Sequence, residues 1–94
     1  MDVSRRQKAY ILIRVQAGKE MEFYDELKEL LNVGIDFVRG QYDFVVVAEG
    51  DASDVERVIF RIRRMPYIVG TETMTAFETF PWQELSGQLD YGHV

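Results

Sequence analysis

The chain has 94 residues, enough for one domain and too few for two. It is 47% hydrophobic, which suits a packed core, and it has no cysteine, which excludes disulfides, thiol catalysis and cysteine-built zinc sites and fits a reducing compartment. A formal net charge of −5 makes it a poor stand-alone nucleic-acid binder, because that affinity comes mostly from Lys and Arg neutralising phosphates. No apolar run approaches the roughly 20 residues a spanning helix needs. The charged residues 1–8 lead into a strand-like run and not into the apolar stretch of a signal peptide. The expectation is a soluble, cytoplasmic chain with neither a membrane nor a direct nucleic-acid partner.

Residues 9–16 alternate as a strand, with Ile11, Ile13 and Val15 on one face and Tyr10, Leu12 and Arg14 on the other. Gly18 opens a helix expected to run to about Leu31, its apolar stripe formed by Phe23, Leu27 and Leu30 with Tyr24 and Leu31. Two β-branched, apolar runs follow, at residues 33–38, read as the second strand, and 44–48, within a third strand expected over 42–49. Between them lies Arg39-Gly40-Gln41-Tyr42-Asp43. A glycine there predicts a tight hairpin, since glycine reaches positive φ without a Cβ clash. An aromatic and an acid entering a central strand set a hydrogen-bonding tip and a charge where the sheet meets its surroundings, a place to hold a small polar ligand.

Ser53-Asp54-Val55-Glu56 has the spacing of a capping box, with Ser53 expected as N-cap of a second helix. Val55, Val58, Ile59 and Ile62 form that helix's buried stripe, and Pro66 ends it. Residues 67–80, rich in threonine, read as the fourth strand; residues 81–94 show no clear period. The resulting order, βαββαβ, predicts an α+β, ferredoxin-like fold: a four-stranded antiparallel sheet with both helices on one face and the first and third strands in the centre. Residues 1–8 are expected to be a flexible lead, residues 9–80 the domain and residues 81–94 a tail.

Two helices cover one face only, yet Phe44-Val45-Val46-Val47-Ala48 is apolar on both faces and the first strand adds Tyr10 and Leu12 to the second. A bare face of that kind exceeds the apolar patch a monomer tolerates. A second copy packed sheet to sheet would cover it; the alternative is the chain's own tail, through Phe80, Trp82, Leu85, Leu89 and Tyr91. Arg57, Arg61, Arg63 and Arg64 crowd the second helix and Glu20, Glu22, Asp25, Glu26 and Glu29 the first. The two helices should lie side by side, so mutual charge complementarity is favoured over a phosphate-binding stripe.

The element order together with Gly40-Gln41-Tyr42-Asp43 resembles the effector-binding (RAM) domain of the Lrp/AsnC transcriptional regulators. Supporting segments are Ala9-Tyr10-Ile11-Leu12-Ile13, Gly18-Lys19-Glu20, Arg64-Met65-Pro66-Tyr67-Ile68 and Thr71-Glu72-Thr73, so the similarity runs from about Ala9 to Phe80. Tyr67 stands where the family often has glycine. The resemblance implies an amino-acid-like effector bound between dimers at the hairpin, a homo-oligomer built from dimers, no cofactor and no metal. Full-length members carry a helix-turn-helix; the length here resembles the stand-alone version, acting through a helix-turn-helix-bearing relative. Carried over residue by residue, Gly40 and Gln41 offer backbone amides to a ligand carboxylate, Asp43 a partner for its ammonium, Tyr42 a wall and a hydroxyl, Arg39 help with an anionic group, and Thr71 and Thr73 polar contacts from the last strand. Asp43 has a second reading, as an acceptor for the turn's own amides, and Tyr42 another as an interface aromatic. Thr75 reads as a plain strand former.

Other classes share this architecture. A small dimeric monooxygenase would want a placed histidine, and the only one is His93, next to the C-terminal residue. An ACT-like regulatory module would pair through sheet edges. A ligand-free adaptor would use the same hairpin for assembly alone. The expectation is a non-enzymatic regulatory module.

Overall fold

The computed structural model describes residues 6–30 and 33–76. β1 (Gln7–Val15), α1 (Glu20–Leu27), β2 (Val33–Phe37), β3 (Phe44–Gly50), α2 (Ala52–Arg63) and β4 (Ile68–Ala76) follow in the expected βαββαβ order. The sheet order is β2-β3-β1-β4 with every neighbouring pair antiparallel, so β1 and β3 are central. This is the ferredoxin-like α+β fold.

The alternation in β1 decides what is buried. Ala9, Ile11, Ile13 and Val15 point under the helices, as do Phe44, Val46 and Ala48 of β3, and all are buried. Phe23 and Leu27 of α1 and Val58 and Ile62 of α2 close over them, with Met65 just beyond α2. Each large side chain buried here contributes roughly 1.5–3 kcal/mol. Phe23 and Phe37 each stack on Phe44 at a ring separation of 4.7 Å, and Tyr24 adds a third contact to Phe37 at 5.6 Å. The aromatic row anchors the edge strand β2 to α1.

Two local expectations are corrected. α1 stops at Leu27, and Leu30 reaches the core from a tightened turn in which its N–H donates to the Leu27 carbonyl at 3.0 Å; Leu31 lies outside the described residues. The N-cap of α2 is Asp51, not Ser53. The Asp54 N–H donates to Asp51 Oδ1 (2.9 Å) and the Asp51 N–H returns to Asp54 Oδ2 (3.3 Å), a capping box two residues ahead of the predicted one. The Ser53 hydroxyl only supports it, donating to the same Asp51 oxygen. Gly50 is the physical reason: its φ of +151° turns the chain straight from β3 into the helix, and an added Cβ would lie 2.8 Å from Asp54. β4 spans Ile68–Ala76, with a bulge where Arg14 pairs with Gly70 but Val15 with Ile68. The rest of the predicted strand lies outside the described residues, together with Phe80, Trp82, Leu85, Leu89, Tyr91 and His93.

The face away from the helices carries Tyr10 and Leu12 of β1, Val45 and Val47 of β3 and Met74 of β4. Directly opposed residues share a face: Leu12 sits between Val45 and Glu72, and Tyr10 between Val47 and Met74. Charges rim the patch, among them the Lys8–Glu49 pair at 4.0 Å.

Candidate functional site

The hairpin leaves β2 at Phe37 and is closed by the Val38 N–H, which donates to the Asp43 carbonyl at 3.0 Å. Gly40 has a φ of +132°, in the region that excludes most side chains, whereas the space around it is open. Glycine is therefore required there by backbone conformation and not by close approach. Arg39 and Gln41 are exposed at the tip.

Asp43 ties the returning arm to the end of β1. Its N–H donates to the Ile13 carbonyl (2.8 Å), and its Oδ2 accepts the Val15 N–H (2.9 Å) in a half-buried contact. That acceptor sits beside the β4 bulge, where regular pairing shifts. Of the two readings of Asp43, the hydrogen bonding to backbone is present in the fold, although the amide belongs to the neighbouring strand and not to the turn.

Arg14 donates from Nε (2.8 Å) and Nη2 to the Gln41 carbonyl. Its guanidinium also sits 5.6 Å from the centre of the Tyr42 ring, within cation–π range. The Tyr42 hydroxyl donates to Glu72 Oε1 at 2.8 Å. Tyr42 thereby bridges from the hairpin to β4. Its phenol is pushed above the ordinary value, first by the hydrogen bond to Glu72, then by burial and the Glu72 charge; Arg14 acts in the opposite sense. The hydroxyl is held as a proton donor.

The predicted residues divide between two faces. Gly40, Gln41, Tyr42 and Asp43 gather at the hairpin. Thr71 and Thr73 oppose Ile13 and Ile11 and so share the helix-covered face, while Glu72, between them, opposes Leu12 on the open face. The sequence assigns Arg14 and Glu72 no place in the site. The signals were present: an arginine ending the non-core face of β1, and a lone acid inside a threonine-rich strand. Only the register brings them together.

A concavity of about 650 Å³ lies between the end of α1 and α2 and is lined by Glu29, Leu30, Arg57, Phe60, Arg61 and Arg64 among others. Arg61 pairs with Glu26 of α1 at 3.4 Å and Arg57 with Asp54 at 3.7 Å, so part of the charge of α2 is answered within the fold. Glu26 also accepts the Tyr67 hydroxyl at 2.7 Å. Burial, reinforced by that bond and the Glu26 charge, pushes the Tyr67 phenol up to about 12. The tyrosine thus ties the start of β4 to α1. Among the described residues no group of acids and histidines is arranged to hold a metal, and no helix is long and apolar enough to cross a membrane.

No family model and no curated protein matches the chain. Solved structures do. FFRP-DM1 is 38% identical with a TM-score of 0.68, the match covering 74% of this chain and 97% of that one. The hypothetical protein PHS023 from Pyrococcus horikoshii is 37% identical with a TM-score of 0.68, covering 78% and 92%. An AsnC family transcriptional regulator from Agrobacterium tumefaciens, at 16% identity and a TM-score of 0.69, shares the fold, and the match covers 86% of this chain and 58% of that regulator. With 38% identity to FFRP-DM1 over the matched 74% of this chain and nearly all of that one, and with the hairpin, strand order and helix placement described above, this chain belongs to the Lrp/AsnC (FFRP) family and forms a domain of its RAM type.

Proposed function

We propose that the domain is a small-molecule effector-binding and oligomerisation module. It modulates transcription indirectly, through a DNA-binding, helix-turn-helix-bearing relative, and its effector is an amino acid. The observation that carries this reading is the hairpin tip. Gly40 sets its shape, Arg39, Gln41 and Tyr42 present polar groups, and Asp43 fixes it to the end of β1 so that it is pre-shaped before any ligand arrives. Sensing then follows from linkage: a ligand shifts one assembly over another by no more than its differential affinity for the two.

The assembly is a dimer of two copies packed by their open faces, with dimers joining further. The half-buried Tyr10, Leu12, Val45 and Val47, on a face without helices, favour this over pairing through the edge strands β2 and β4. A cysteine-free module serving a transcription regulator belongs in the cytoplasm.

The test is a thermal-shift titration against each of the common amino acids. A ligand at about 100 times its Kd stabilises the domain by roughly 2.7 kcal/mol. The expected result is a concentration-dependent rise in Tm for one or two amino acids. Flat curves for all of them would reject amino-acid sensing and leave a ligand-free adaptor.

A further inference from the structure

The helix side of the domain carries the 650 Å³ groove between the end of α1 and α2. Phe60 lines it and is 60% exposed, although the stripe of Val55, Val58 and Ile62 on the same helix is buried. Its charges are ordered along its length. Glu29, Asp54 and Glu56 stand where α1 ends and α2 starts, and Arg57, Arg61 and Arg64 follow toward the end of α2. Asp54 is already engaged by the cap and by Arg57, whereas Arg64 makes no ion pair among the described residues. Strand pairing fixes which end of the groove the later part of the chain approaches. Gln7 pairs with Gly50 and Lys8 with Ala76, so Ala76 stands at the pole where α2 begins. Residues 77–94 lie outside the described residues. Their sequence holds Glu78, Glu84 and Asp90 with no Lys or Arg, and it is rich in large apolar groups, among them Phe80, Trp82, Leu85 and Leu89.

We infer that this groove is the docking site of the chain's own segment 80–90, with Trp82 seated against Phe60 and with Glu84 and Asp90 facing the arginines of α2. Length permits it. The six residues from Ala76 to Trp82 reach at most roughly 20 Å, and α2 from Ser53 to Arg64 is about 17 Å long, so one extended stretch runs the groove from its near end. Charge fixes the direction: the neutral Phe80-Pro81-Trp82-Gln83 passes the acidic entrance, and the acids that follow meet Arg57, Arg61 and Arg64. Burying an aromatic side chain against Phe60 supplies the main gain, and exposed ion pairs add little beyond orientation. The open sheet face is not free to take this segment, because in the proposed assembly a second copy covers it. The helix side is the surface left for it.

Trp82 is the single tryptophan of the chain, so its fluorescence reports on this segment alone. The experiment is acrylamide quenching of that emission in the full chain, as wild type, Phe60→Asp, Arg64→Glu and Leu12→Glu, with the urea-unfolded chain as the exposed reference. Phe60 and Arg64 are exposed and Leu12 lies on the opposite face of the sheet, so none of the three changes touches the core cluster; circular dichroism melts check that each variant folds. The expected result is a wild-type emission that is blue-shifted and quenched severalfold less than the unfolded reference. Phe60→Asp should bring quenching close to that reference, Arg64→Glu part of the way, and Leu12→Glu should leave it at the wild-type level. A wild-type Trp82 as accessible as in the unfolded chain overturns the docking. Protection that survives Phe60→Asp and disappears in Leu12→Glu overturns it in favour of the sheet face. Loss of protection in both places the segment on a neighbouring copy and overturns docking within one chain. None of these outcomes bears on amino-acid binding, which the thermal-shift titration tests separately.

Discussion

Asp43 shows how a structural duty can pass for ligand binding when a single substitution is read alone. Its carboxylate is the acceptor for the Val15 N–H in a half-buried place. Asp43→Ala leaves that amide without a partner and should destabilise the domain by about 1–3 kcal/mol in urea denaturation, whereas Asp43→Asn, which retains an acceptor oxygen, should lose much less. A ligand response absent from the alanine variant alone would thus report on the fold. Tyr67 gives a pH signature at the same scale. Its folded phenol value, raised from 10.0 to about 12, means that the fold favours the protonated form. The stability it adds is fully present below the ordinary phenol value and is lost as pH rises through about 12. Tyr42, shifted in the same direction, adds to the slope. Tyr67→Phe should flatten, without abolishing, the fall in Tm across that alkaline window; an unchanged profile would mean that Tyr67 is not the group responsible. Sequence alone marks Asp43 as a turn acid and Tyr42 as an entry aromatic. It does not reveal Val15, Arg14 or Glu72 as their partners, because each lies 27 or more residues away and only sheet register joins them.

At the scale of elements, the start of α2 tests how capping is chosen. Ser53 and Asp51 both open plausible boxes, and a search for the S-x-x-E pattern selects the wrong one. Gly50 settles the matter, for its positive φ delivers Asp51 to the cap before Ser53 can take the position. Asp51→Ala should lower the Tm by clearly more than Ser53→Ala, and differential scanning calorimetry of the two variants would show the order; the reverse ranking would restore Ser53 as cap. Asp51 sits below the ordinary carboxylate value, held there first by the Asp54 amide and then by the Ser53 hydroxyl, so its contribution is lost as pH falls through that lowered value. The apolar stripes of both helices were readable because the 3.6-residue period survives at Phe23 and Leu27 and at Val55, Val58 and Ile62. The end of α1 was not, since Leu30 keeps the period while leaving the helix.

For the whole molecule, strand order was the most legible property. The strands apolar on both faces, β1 and β3, are the central ones. Their uncovered side chains carry the assembly prediction. Leu12→Glu places a charge between Val45 and Glu72, away from the core cluster, and should reduce the mass measured by light scattering to that of one subunit while leaving the circular dichroism spectrum intact. A mass unchanged from wild type would send the contact elsewhere, with the edge strands the next place to look.

Lys8 pairs with Ala76, so the two ends of the described core lie side by side at one pole of the sheet. The hairpin grips β1 at Ile13 and Val15, at the other pole. From Lys8 to Arg14 is about 20 Å along the strand. Residues 8 and 76 therefore lie at the pole opposite the hairpin. On the proposed effector reading, the hairpin that receives the ligand and the ends of the described core stand at opposite poles, and a signal between them would travel as a movement of the sheet as a plate or as a change in how many plates stand together.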